Sequence, residues 1–138
     1  MPTFNVEVAD DQIILKASIL IPGAEDDNPP PAFDALVDTG AQMTMVSSRV
    51  IEEVGAESTS SRKIIPVSGE PLTVPTYWLG VFIPIAMDNA DPNIFAAGRE
   101  LRVAQLPYEP LNYDILLGMD LLIGFHITMV GGHFVLSN

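Results

Sequence analysis

Several things are missing from this 138-residue chain, and each absence removes a class of function. There is no cysteine, so disulfides, thiol nucleophiles and thiolate metal sites drop out. Six basic residues stand against eighteen acidic ones, a net charge of −12. No basic patch is available to neutralise phosphates, which argues against nucleic acid as a partner. The apolar stretch Trp78 to Met87 is about half of what a membrane-spanning helix needs, so no membrane partner is expected. The start of the chain has no basic region followed by an apolar one. No signal peptide is therefore read there, and a cytoplasmic location is the expectation. Two histidines, His126 and His133, lie seven apart without a His-Glu-Xaa-Xaa-His pattern, so a zinc hydrolase is not expected and both are read as structural or surface residues. The only serine beside a glycine is Ser68, and none sits in a Gly-Xaa-Ser-Xaa-Gly turn, which leaves a serine triad without support. The acid triplet Glu25-Asp26-Asp27 lacks the spacing of a calcium loop. Neither a metal nor a cofactor is expected.

What is present is one acid in an unusual place. The apolar run Ala35 to Val37 leads directly into Asp38-Thr39-Gly40. Carboxylates are seldom buried unless paired, so an acid at the mouth of a hydrophobic strand needs a partner. Gly40 lets the backbone turn, and the Thr39 hydroxyl can fix that turn. A surface Asp-Thr-Gly turn is the plain alternative. Much later the chain returns to an apolar strand ending in glycine, Ile115-Leu116-Leu117-Gly118.

Between and around these stretches the pattern is that of strands. Phe4 to Val8 alternates and Gln12 to Ile21 is rich in Ile and Leu, predicting a hairpin around Asp10-Asp11. Pro22 to Pro31 is a loop, since its prolines cannot continue a sheet. Ser47 or Ser48 caps a short helix through Val54, stopped by Gly55. Arg62 to Val67 and Leu72 to Val74 flank Ser68-Gly69-Glu70-Pro71, which has the chemistry of a hairpin tip. Thr76 to Met87 is a long apolar strand turned by Asp88 to Asn93. Ile94 to Pro107 is ambiguous, with Arg99, Glu100 and Arg102 pointing to a solvent-facing strand. Met119 to Ile123 is a short helix, and Phe125 to Val130 with His133 to Leu136 forms a hairpin across Gly131-Gly132. The length predicts one domain, residues 1–138.

Two motifs in this order, Asp38-Thr39-Gly40-Ala41 and Leu116-Leu117-Gly118, resemble the retropepsin-like aspartic proteases. The run Gly40-Ala41-Gln42-Met43-Thr44 is most similar to the protease domain of DNA-damage-inducible, ubiquitin-shuttle type proteins. The resemblance spans roughly residues 33 to 137. It implies an all-β, closed barrel of the acid-protease fold with one or two short helices, and a hydrolase that cleaves peptide or protein substrates. It also assigns roles. Asp38 is the catalytic acid, Thr39 locks two such loops together, and Gly40 lets the substrate backbone approach. Ala41, Gln42, Val67, Ser68 and Gly69 contact the peptide, with Val67 to Gly69 as a flap. Leu116, Leu117 and Gly118 brace the Asp38 loop.

Aspartic proteolysis uses two carboxylates and the chain has one Asp-Thr/Ser-Gly, so the second must come from another copy, a homodimer with two-fold symmetry. By resemblance the terminal strands, Phe4 to Val8 and His133 to Leu136, pair between copies. An ordinary closing hairpin within one chain is the other reading. Two other functions stay open at the level of sequence. One is a dimeric module of this fold that binds peptides or partners and cleaves poorly. The other is an unrelated acidic β-barrel with a chance Asp-Thr-Gly.

Overall fold

In a computed structural model that describes residues 3–8, 10–24, 29–86 and 94–137, the chain runs through ten strands and two short helices. They are β1 (Thr3–Glu7), β2 (Ile14–Leu20), β3 (Ala32–Val37), β4 (Met45–Val46), α1 (Ser48–Val54), β5 (Ser60–Ile64), β6 (Leu72–Ala86), β7 (Ile94–Gln105), β8 (Ile115–Leu117), α2 (Met119–Leu122), β9 (His126–Val130) and β10 (His133–Ser137). The expected acid triplet loop at 25–27 and the turn at 88–93 lie outside the described residues.

Alternation builds the main sheet. Along β2, Leu15, Ala17 and Ile19 point inward and are almost fully buried, while Lys16 faces out, the period-two pattern of a half-buried strand. The strands are ordered β2-β3-β8-β4-β7-β6-β5, and β2 also pairs with β6. That last pairing closes six strands into a barrel and leaves β5 attached to the outside of β6. Leu15, Ile19, Leu79, Val81, Ile83, Leu101, Val103, Ile115 and Leu117 fill the interior.

The short helices and turns follow local chemistry. The Ser47 side chain accepts the Val50 N–H at 3.3 Å, and Gly55 closes α1 in the left-handed region at φ 71°, as capping chemistry requires. Gly131 and Gly132 have φ of 55° and 77° and join β9 to β10 with the register His133↔Val130. Two central residues with positive φ give the turn whose twist suits a tight hairpin.

Three sequence expectations are corrected. No hairpin forms around Asp10-Asp11. Both residues turn, with φ of 52° and 57°, but β1 pairs with β10 and β2 with β3 and β6. Both edges of β2 are taken by barrel strands, so β1 finds its partner at the other end of the chain. The second correction is that β6 starts at Leu72, so hairpin arm and long apolar strand are one element of 15 residues running through Pro75 and Pro84. The third is that the ambiguous stretch is a full strand, β7, paired with β6 from Thr76↔Ala104 to Ala86↔Ile94. Its Arg99 and Arg102 are exposed while Leu101 and Val103 are buried.

Within one chain the two terminal strands pair with each other. β1, β10 and β9 form their own three-stranded sheet, with Phe134 and Leu136 buried against the core. Among the described residues no helix is long and apolar enough to cross a membrane.

Candidate active site

The topology around Asp38 explains why its loop needs bracing. β3 delivers Asp38, and the chain re-enters the sheet as β4 at Met45. β8 lies between them, parallel to β3 (Val37↔Leu117) and antiparallel to β4 (Met45↔Leu116). The loop from 38 to 44 must therefore cross over the end of β8 and the Gly118 that follows it. A Cβ on Gly118 would stand 2.5 Å from the Met43 carbonyl carbon and 2.9 Å from the Met43 nitrogen, closer than any side chain tolerates, so the crossing demands glycine there.

The residues assigned to the site from the sequence take these positions in the fold. The Asp38 N–H donates to the Leu117 carbonyl at 3.0 Å. Its Oδ1 accepts the Gly40 N–H at 2.9 Å, which holds the carboxylate over its own turn. The Asp38 carbonyl accepts the Ala41 N–H at 3.2 Å. Asp38 is half-buried, while Thr39, Gly40 and Gln42 are exposed. Leu117 is fully buried and Leu116 is 8% exposed. Val67, Ser68 and Gly69 lie at the tip of the β5–β6 hairpin, where Gly69 has φ 83° and donates its N–H to the Pro66 carbonyl at 2.8 Å. This tip is apolar and open to solvent, with Ile65 and Val67 among the most exposed hydrophobic residues.

One acid was given no role from the sequence and is central here. Asp120, at the start of α2, accepts the Thr44 N–H at 3.0 Å and the Thr44 hydroxyl at 2.7 Å on Oδ1. The same oxygen accepts the Leu121 N–H at 2.9 Å. The Thr44 hydroxyl in turn accepts the Gly118 N–H at 3.1 Å. Two backbone bonds, Met119 N–H to the Ala41 carbonyl at 2.8 Å and Asp120 N–H to the Gln42 carbonyl at 3.3 Å, complete the fastening. The position of Asp120 was legible, because like Asp38 it is an acid close behind an apolar strand. Its partner, 76 residues away, was not.

Asp120→Ala would leave the fully buried Thr44 N–H and hydroxyl without acceptors. It is expected to lower stability by about 2 to 3 kcal/mol, given the cost of orphaned buried donors. A denaturant midpoint unchanged from wild type would contradict the clamp.

Beside the loop stands a pair of phenols. The Tyr108 and Tyr113 hydroxyls are 2.9 Å apart. Burial, the Tyr108 hydrogen bond and charge around it, that of Asp38 included, push the Tyr113 pKa up to about 12, so this phenol stays neutral and able to donate. Burial also raises that of Tyr77, whose hydroxyl donates to the Gln105 Oε1 at 3.0 Å. On the far side of β8, Asp114 accepts from the Ser47 hydroxyl at 3.1 Å and from Arg49 Nε at 2.9 Å, tying α1 to the strand beneath the loop. Among the described residues no group of three or more His, Asp or Glu is arranged to hold a metal.

No family model matches the chain, and no curated protein matches it. Among solved structures it is similar to a retropepsin-like aspartic protease from Rickettsia conorii. The two share 16% sequence identity and a TM-score of 0.60 over 97% of this chain and 89% of that one. At that identity the likeness speaks of architecture. Together with the six-stranded closure and the loop that crosses β8, it establishes that this chain has a retropepsin-like fold.

Proposed function

We propose that the protein is a homodimeric aspartic endopeptidase in which each subunit contributes Asp38. The observation that carries the reading is the state of this carboxylate. It is half-buried, one oxygen is oriented by the Gly40 N–H, and the other makes no hydrogen bond among the described residues. An acid posed in this way is built to meet a second charge or a water.

In the dimer the partner's Asp38 supplies it. Two carboxylates about 3 Å apart cannot both stay ionised, so they share one proton. The ionised member takes a proton from a water held between them, and the protonated member donates to the scissile carbonyl. Thr39 and Gly40, both exposed on the loop, are the surfaces left for the partner loop and the substrate backbone. The apolar tip around Val67 covers the peptide and excludes water, which explains why a hairpin end carries uncovered hydrophobic side chains. The Gly40 to Thr44 run supports kinship, within the aspartic proteases, with the DNA-damage-inducible, ubiquitin-shuttle type.

A single acid per chain makes catalysis depend on association. Specific activity is expected to fall on dilution, following the dimer fraction measured by sedimentation. Each subunit carries a net charge of −12, so raising salt from low ionic strength tightens the dimer. Adding excess Asp38→Asn protein suppresses wild-type activity by forming heterodimers with one acid. A monomer that still cleaves peptide would refute the mechanism.

A further inference from the structure

Cations are scarce in this chain, so their positions carry information. Of the six, Lys16 is paired with Asp34 at 2.8 Å and Arg49 with Asp114. Lys63 and the three arginines Arg62, Arg99 and Arg102 form no ion pair among the described residues, in a chain where acidic residues outnumber basic ones three to one. Unpaired arginines on a surface are common, because a surface pair is worth little. The location of these three is less ordinary.

Arg62, on β5, directs Nη1 at the Met43 sulfur, 3.7 Å away. Met43 belongs to the loop that carries Asp38. Arg102, on β7, donates to the Ser60 hydroxyl at 2.6 Å, and Ser60 shares a face of β5 with Arg62 because residues two apart in a strand point the same way. Arg62 thus meets the Asp38 loop at Met43, and Arg102 holds Ser60 two residues away on the same face of β5. Arg99 reaches the other side of the loop's brace, with Nη1 3.5 Å from the Asp120 carbonyl. All three rest on neutral acceptors. A thioether occupies one weak bond of a group with five donors, which leaves the fork of Arg62 open.

We infer that Arg62, backed by Arg102, forms a subsite for a carboxylate side chain of the substrate, beyond the residues that flank the scissile bond. The inference rests on the endopeptidase reading and names its substrate class: peptides with Asp or Glu at one set position. A planar guanidinium fork matches a carboxylate two bonds at a time, and such charge-assisted pairs are about twice as strong as neutral ones. The net charge of −12 opposes acidic peptides at long range. That repulsion is screened beyond about 8 Å at physiological salt, whereas the pair acts in contact. In the two-fold dimer each half of the cleft has its own Arg62, so the preference appears once on each side of the cut.

The test uses peptides identical except for Glu, Gln or Lys at one position, scanned through four residues on either side of the scissile bond and competed in one mixture. Wild type is expected to favour Glu about tenfold at one position per side. Arg62→Gln loses that preference, Arg62→Glu turns it towards Lys, and Lys63→Gln, on the opposite face of β5, keeps it. A second arm measures the affinity of Glu and Gln versions of a non-cleavable peptide with a hydroxyethylene group at the scissile position. Cleavage without discrimination, or a preference that survives Arg62→Gln, overturns the subsite. Glu-selective binding that depends on Arg62, with no cleavage of any peptide, supports the subsite and overturns the peptidase reading.

Discussion

The Asp38→Asn protein is expected to fold and dimerise as wild type does while its peptidase activity falls by at least about a thousandfold. Asparagine keeps the shape of the side chain, and its carbonyl oxygen can still accept the Gly40 N–H that Asp38 accepts at 2.9 Å. The turn should therefore survive. What is lost is the shared proton, and with it both the base that activates water and the acid that protonates the carbonyl. Each such proton transfer contributes about 10² to 10⁴ in rate, so losing both leaves only binding and orientation. Cleavage of a labelled peptide gives the activity; circular dichroism and sedimentation check fold and assembly. Cleavage at wild-type rates would remove Asp38 from the mechanism. Preserved peptide affinity in this variant, beside a wild type that binds but does not cleave, would turn the reading towards a peptide-binding module.

Leu117→Ala should be among the most costly substitutions in the barrel, lowering stability by about 2 to 5 kcal/mol as a fully buried leucine truncation. Leu117 is 0% exposed and pairs with Val37 in the parallel ladder beneath the site, while its carbonyl holds the Asp38 N–H at 3.0 Å. Because β8 is only three residues long, there is little neighbouring strand to absorb the cavity. Leu116→Ala should cost less, since Leu116 at 8% exposure gives up less buried surface. Chemical denaturation measures both. A Leu117→Ala midpoint indistinguishable from wild type would mean that the crossing loop does not rest on this strand.

What the sequence determined by itself was local. Ser47 and Gly55 announced the ends of α1, Gly131-Gly132 announced the β9–β10 hairpin, and Asp38 stood out because an acid had no packing reason to follow Ala35-Leu36-Val37. These are effects of neighbours along the chain, where side-chain alternation, capping bonds and positive φ act over a few residues. Tertiary structure decided which strands meet. β1 left the expected Asp10-Asp11 hairpin for β10, and β8 inserted between β3 and β4. The charged residues of β7 hid a full strand, because alternating Leu101 and Val103 with Arg102 buries one face only when β6 lies alongside. Asp120 shows the same division at the site. Its position after Gly118 is written in the sequence, but its bonds to Thr44 exist only because the loop from 38 to 44 must climb over β8. Hydrophobic alternation says which side of a strand is inward and nothing about the neighbour at its edge. Backbone hydrogen bonds at a strand edge are alike for every sequence, so the choice of partner belongs to the closed barrel as a whole.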